Sequence, residues 1–186
     1  MCSMISVSTG NSSQIGGLQI VPYGENNIQP LLGLLNQEFP NWPSNRIKSY
    51  MDLVTSKKND VAGILVAKNE AEYYVGLLIY TFQQIKDYKI ENSTADQALN
   101  FYKNNGKTDR IANIFVVENL IASSLILQNK VFLSLVDQGI KIGMNNSCDF
   151  IELPKFDTES YDLIKEKYRN HIVDSGNFRT YLKIKF

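Results

Sequence analysis

The chain has 186 residues, 19 Lys+Arg against 19 Asp+Glu, and a formal net charge of zero. That length suits one domain with a proper core, and the charge balance gives no basic field to recruit nucleic acid or an anionic membrane surface. Apolar runs such as Val75 to Tyr80 are far too short to cross a bilayer. Cys2 and Cys148 are the only cysteines and His171 is the only histidine, so a disulfide framework and a multi-histidine metal site are excluded and a reducing cytoplasm is expected.

The Ser/Gly/Asn-rich start lacks the basic and apolar regions of a signal peptide, and residues 1–16 are expected to be a flexible tail ahead of a single domain, 17–186. Leu18 to Tyr23 reads as a strand whose Pro22 confines it to an edge or a strand end. Asn27 to Phe39 carries Ile28, Leu31, Leu32, Leu34 and Leu35 at helical spacing, with Pro30 in the tolerated first turn. FPNWP breaks that helix, and Ser44 caps a second one whose face holds Ile47, Tyr50, Met51 and Val54. Val61 to Ala67 and Tyr73 to Phe82 predict a hairpin around the polar turn KNEAE. Residues 84–110 are mostly polar, with at most one short helix near Asp96 to Tyr102. They predict a long inserted loop between the third and fourth strands.

Ile111 to Ala122 is the next predicted strand. A long helix follows over Val131 to Met144, striped by Val131, Leu135, Val136 and Ile140, with Gly139 and Gly143 one turn apart. Phe150 to Leu153 predicts a short buried strand, Tyr161 to Tyr168 a helix, and His171 to Asp174 with Phe178 to Lys185 a closing hairpin. The crossover from the 111–122 strand through the long helix to Phe150 predicts one parallel pair in an otherwise antiparallel sheet.

This order, and Glu118 to Leu153 most specifically, resembles the GNAT superfamily of acyl-CoA-dependent N-acetyltransferases over residues 18–186. ENLIAS matches the family's strand end, Val131 to Met144 its helix, Asn146-Ser147-Cys148 its Gly-Cys turn, and Gly76 the glycine common in its third strand. The resemblance implies a three-layer α+β fold, with a mixed, mostly antiparallel sheet of about seven strands, a central parallel pair and about four flanking helices. It also implies acetyl-CoA or another acyl-CoA as co-substrate, a small-molecule or peptide amine as acceptor, and a homodimer as a further expectation. No metal, nucleic acid or membrane partner is implied.

The departures lie in the loop that holds the CoA pyrophosphate. Leu127 stands where the family has Arg or Gln, and Lys130 and Phe132 stand for its two glycines. Sliding the frame to put Gln128 at the first position leaves Val131 and Leu133 in the glycine places. The resemblance assigns cofactor contacts to Ile121, Ala122, Ser123, Leu127, Gln128, Asn129, Lys130, Val131 and Phe132. Main-chain donors at a helix N-terminus survive side-chain changes, but steric access does not. Phe132 either fills the phosphate space or turns into the core.

Acyl transfer to an amine needs a base for the amine, a donor for the tetrahedral oxyanion and a proton for the departing thiolate. The resemblance places the oxyanion donor on the backbone of Ile121 to Ser123 and the base at Glu118. The family's acid, a tyrosine, falls on Lys165, with Tyr161 and Tyr168 one turn to either side as candidates. The family's Asn has no equivalent and its Gly-Phe is Arg169-Asn170. Each residue has a structural alternative: a salt-bridged strand carboxylate for Glu118, core or rim packing for the tyrosines, and turn capping for Ser123 and Ser124. Cys148 reads as a small buried hydrophobe and His171 as a hairpin residue. Phe39, Trp42 and Tyr50 serve either an amine pocket or a staple across the FPNWP turn. The expectation is an N-acetyltransferase acting by direct attack; the alternative is a GNAT-fold binding protein that has lost its CoA site.

Overall fold

The computed structural model describes residues 13–15, 17–24, 28–56, 62–85, 112–123, 128–154, 159–175 and 179–183. Apolar alternation builds the sheet: Leu18 and Ile20 are buried along β2 (Leu18–Pro22), and its Pro22 closes the strand. With it pair β1 (Ser13–Ile15), β3 (Ala62–Lys68), β4 (Tyr74–Ile85), β5 (Ala112–Ala122), β6 (Phe150–Pro154), β7 (Ile172–Ser175) and β8 (Arg179–Lys183). Their order is β1-β2-β3-β4-β5-β6-β8-β7. Every neighbouring pair is antiparallel except β5 and β6, which are parallel.

The sheet has eight strands where about seven were expected. The extra one, β1, comes from the segment read as a tail and pairs along the outer edge of β2. The β3–β4 turn is held by Asn69, whose Oδ1 accepts from the amides of Ala71 and Tyr73. β4 runs on to Ile85, because Gln83 and Gln84 pair with Ile114 and Asn113 of β5. The inserted segment therefore begins beyond residue 85, not at 84; the short helix expected near Asp96 to Tyr102 lies outside the described residues.

Four α-helices stand among the described residues: α1 (Leu32–Glu38), α2 (Ser44–Ser56), α3 (Gln128–Asn145) and α4 (Glu159–Lys167). The helix expected from Asn27 is shorter, since Pro30 sits in a separate 3₁₀ turn, Gln29–Leu31. α3 begins earlier than expected, at Gln128. The helices cover opposite faces of the sheet. Leu31, Leu35, Ile47 and Met51 of the α1–α2 side are buried with Leu77, Ile79 and Ile121. Phe132, Leu135, Ile142 and Ile164 of the α3–α4 side are buried with Leu78, Phe115 and Val117. Successive residues of β4 thus feed different layers, as the strand period requires. Among the described residues, no helix is long and apolar enough to cross a membrane.

Candidate functional site

Two departures from regular pairing meet in β5. Its register with β6 stops at Val116↔Glu152, although β5 continues to Ala122. The last stretch of β5 therefore has β4 along one edge and a parting strand along the other. On the β4 side the register shifts between Ile79 and Tyr80: Val117 faces Tyr80, Asn119 faces Ile79, and Glu118 is the extra residue. Such a bulge bends a strand and re-aims its side chains.

The bulge brings Glu118 and Asn119 to the α1–α2 side together. Thr81, on the same face of β4 as Leu77 and Ile79, donates its hydroxyl to Glu118 Oε1 at 3.0 Å. Asn119 Nδ2 donates to the hydroxyl of Tyr50 on α2. All four of these residues are half-buried. Burial, reinforced by the Glu118 charge, raises the Tyr50 phenol above its ordinary value against the Asn119 hydrogen bond. Phe39 and Trp42 stack at 4.6 Å between ring centres, and both meet the Tyr50 ring edge-on. The aromatic cluster at the α1–α2 turn thus runs into the polar group on β5.

Where β5 and β6 part, Arg179 of β8 bridges the gap. Its Nη1 donates to the Val117 carbonyl at 3.1 Å and lies 3.3 Å from Glu152 Oε1. Burial raises the Glu152 carboxyl; the Arg179 charge and a hydrogen bond from Tyr181 oppose the shift, and Glu118 adds to it. Titratable groups perturbed by burial and by a shared neighbour mark a candidate site. Thr81, Asn119, Glu152 and Arg179 were absent from the expected set. One sequence signal existed for Asn119: Glu118-Asn119 sets two polar residues side by side in a run that is otherwise apolar from Ile114 to Ala122, which strict alternation does not accommodate.

The structure sorts the backbone donors expected on β5. The Ser123 amide donates to the Val75 carbonyl at 2.9 Å, and its hydroxyl approaches the same oxygen at 3.3 Å. By strand alternation, Ile121 also turns its amide to β4, while Leu120 and Ala122 turn theirs to the parting edge. The Ser123 amide is thus taken by β4, which corrects it as a free donor, and alternation turns Ile121 the same way; Ala122 and Leu120 are the residues whose amides face the parting edge. The Ser123 hydroxyl lies on the β4 backbone and not on the turn toward α3.

Leu127 and Ser124 lie outside the described residues. Gln128, Asn129 and Lys130 form the half-buried first turn of α3, where main-chain amides have no partner within the helix. Val131 is fully buried and Phe132 is 4% exposed, both in the α3-side core. Phe132 therefore takes the inward alternative, and as side chains these two residues pack rather than line a loop. Gly76 lets this happen. A Cβ there would lie 2.4 Å from Val131 Cγ1 and 2.9 Å from the Ile121 carbonyl, so α3 rests its first turn directly on the β4 backbone.

Tyr161 is 2% exposed, its hydroxyl bonded to that of Thr180. Its place is in the core, and this removes it from the expected acids. Tyr168 follows α4, half-buried against the α3-side core, with Lys167 Nζ 5.4 Å from its ring centre and His171 edge-on. Cys148 is buried, as expected.

Neither a sequence-family model nor a curated protein sequence matches the chain. Solved structures do. A GNAT-family acetyltransferase from Listeria monocytogenes superposes with a TM-score of 0.53 at 13% identity, covering 93% of this chain and 99% of that one. The fold is that of the GNAT acetyltransferases. Within it, an aminoglycoside 6'-N-acetyltransferase from Acinetobacter baumannii matches at TM-score 0.54 and 13% identity, over 81% of this chain and 88% of that one. An aminoglycoside N-acetyltransferase in complex with CoA matches at TM-score 0.53 and 14% identity, covering 88% of each chain. At these identities the likeness is one of fold. In this chain the parting of β5 from β6 and the β5 bulge both lie toward the C-terminal end of β5, the end that leads to the first turn of α3.

Proposed function

We propose that the protein is an acyl-CoA-dependent N-acyltransferase, moving an acetyl group from acetyl-CoA to a primary amine by direct attack. The observation that carries this reading is the parting of β5 and β6 beyond Val116↔Glu152, with the bulged Glu118 beside the opening. A thioester lying along the free edge of β5 meets the amides of Leu120 and Ala122. Glu118, oriented by Thr81, takes a proton from the incoming ammonium. The amine nitrogen then bonds to the thioester carbon, the developing oxyanion is met by the β5 amides, and the C–S bond breaks. The thiolate leaves with a proton, for which Tyr168 remains the candidate donor.

The pyrophosphate is assigned to the first-turn amides of Gln128 to Val131, with Lys130 as a point charge. The inward turn of Phe132 supports this over the alternative of a binding protein whose CoA space is filled. A small-molecule amine is the proposed acceptor, in keeping with the two aminoglycoside acetyltransferases of the same fold.

Thermal melting with acetyl-CoA tests the reading. At a concentration about 100-fold over Kd, the ligand adds about 2.7 kcal/mol to stability, and Glu118→Gln lowers kcat by about 10²- to 10⁴-fold while keeping that gain. No stabilisation by acetyl-CoA, CoA or longer acyl-CoAs refutes it.

A further inference from the structure

The hydroxyl of Tyr50 is the member of the polar group that a helix contributes. It reaches from α2 to β5 only because the bulge turns Asn119 toward α2. Its oxygen accepts from Asn119 Nδ2, so its own proton must point elsewhere, and among the described residues that proton meets no acceptor. The environment holds the phenol protonated, which makes it a donor and not a base. Beside it stand two acceptors: Asn119 Oδ1 and the carboxylate of Glu118, whose Oε1 alone takes the Thr81 hydroxyl. A donor fixed next to a carboxylate is wasted on an amine with a purely hydrocarbon body, and burying it unpaired against one is unfavourable.

Given the acyl-transfer reading on which it rests, the geometry points to Tyr50 as a specificity-determining residue for an acceptor that carries an oxygen next to its amine, an amino alcohol or amino sugar. The ammonium goes to Glu118, the neighbouring oxygen accepts from the Tyr50 hydroxyl, and that oxygen's proton, where it has one, is taken by Asn119 Oδ1. Phe39 and Trp42, edge-on to the Tyr50 ring, brace the phenol from the outside.

The test compares matched amines on the full chain with acetyl-CoA: ethanolamine against propylamine, and vicinal aminocyclohexanol against cyclohexylamine. In each pair the hydroxyl compound is expected to have kcat/KM on the order of tenfold higher or more, because a site built to hydrogen-bond a substrate oxygen rejects the analogue without it. Tyr50→Phe brings the ratio toward one, and Asn119→Ala, which frees the phenol to turn, lowers it as well. The second variant keeps the inference testable if the first does not fold. Equal rates within each pair for the unmodified protein, or an unchanged ratio in both variants, overturn the inference alone. Absence of turnover with every amine, together with no melting shift on acetyl-CoA, overturns the transferase reading and the inference with it.

Discussion

Gly76→Ala probes how α3 is docked. The glycine carries no positive-φ requirement; what it supplies is room. The added methyl would lie 2.4 Å from Val131 Cγ1, 2.9 Å from the Ile121 carbonyl oxygen and 3.3 Å from Leu135 Cδ1. Carbon atoms pack at about 3.5–4.0 Å, so the first contact is too close by roughly 1 Å. Val131 has no escape, since a β-branched side chain on a helix has essentially one rotamer, and the Ile121 oxygen belongs to the sheet. The first turn of α3 must lift. Overpacking of this kind costs about 1–3 kcal/mol, a fall in Tm of roughly 2–12 °C for a domain of this size. The lifted turn carries the amides assigned to the pyrophosphate, so the rise in Tm on adding acetyl-CoA should shrink too. Scanning fluorimetry with and without acetyl-CoA reads both effects. Adding Val131→Ala removes the worst contact and should recover part of the loss, with the Ile121 oxygen setting what remains. A Gly76→Ala protein that melts within about a degree of the unmodified chain and keeps its full ligand shift would refute the packing argument.

Tyr161→Phe should cost about 1–3 kcal/mol in urea unfolding, because Thr180 loses its buried partner, while kcat stays unchanged; a hundredfold fall in kcat would restore Tyr161 to the chemistry. Phe132→Ala should cost about 3–5 kcal/mol without tightening acetyl-CoA binding in titration calorimetry, and tighter binding would mean that the ring obstructs the phosphate space. Glu152 is raised above 4.5 in the folded chain, burial being the first cause. The folded state therefore holds this proton more tightly than the unfolded one, and stability falls as pH rises through the window above 4.5. Subtracting the urea stability of Glu152→Gln from that of the unmodified chain, pH by pH, should give a difference that declines across that window; a rising difference would contradict the assignment.

The layers of this fold are written locally. Alternation in β3 and β4, the Ile47–Met51 spacing in α2 and the stripe of α3 each state which face is buried, and the structure buries those residues. What the sequence leaves out is set by partners distant in the chain. β1 has no apolar alternation of its own and exists because β2 presents an open edge. Gln83 and Gln84 look like loop residues, and become strand because β5 offers backbone partners opposite them. The bulge is a count of two residues against one, so it has no meaning until β4 and β5 are in register. The resemblance offered Tyr161 as an acid because it lies one turn from Lys165; Thr180, across on β8, is what takes its hydroxyl. The site was half legible for the same reason. Glu118 is nominated from its strand end and Tyr50 from its aromatic neighbours, whereas Asn119 and Arg179 join them through pairings that cross the whole domain.

Loop glycines are one way to bring a phosphate close to main-chain amides; on the proposed reading, the first turn of α3 would do so without them. Gly76 moves the close approach from the loop to the sheet, by letting Val131 sit on β4 with no Cβ between them. Phe132 then has a buried place to go, and the apolar stripe continues through it. The charges at the two main helix ends differ accordingly. α4 has Glu159 and Asp162 in its first turn and Lys165 and Lys167 in its last, the arrangement that complements a helix dipole. α3 has no acid in its first turn, where Lys130 stands. On the proposed reading, an anion at that end meets the lysine and the dipole together.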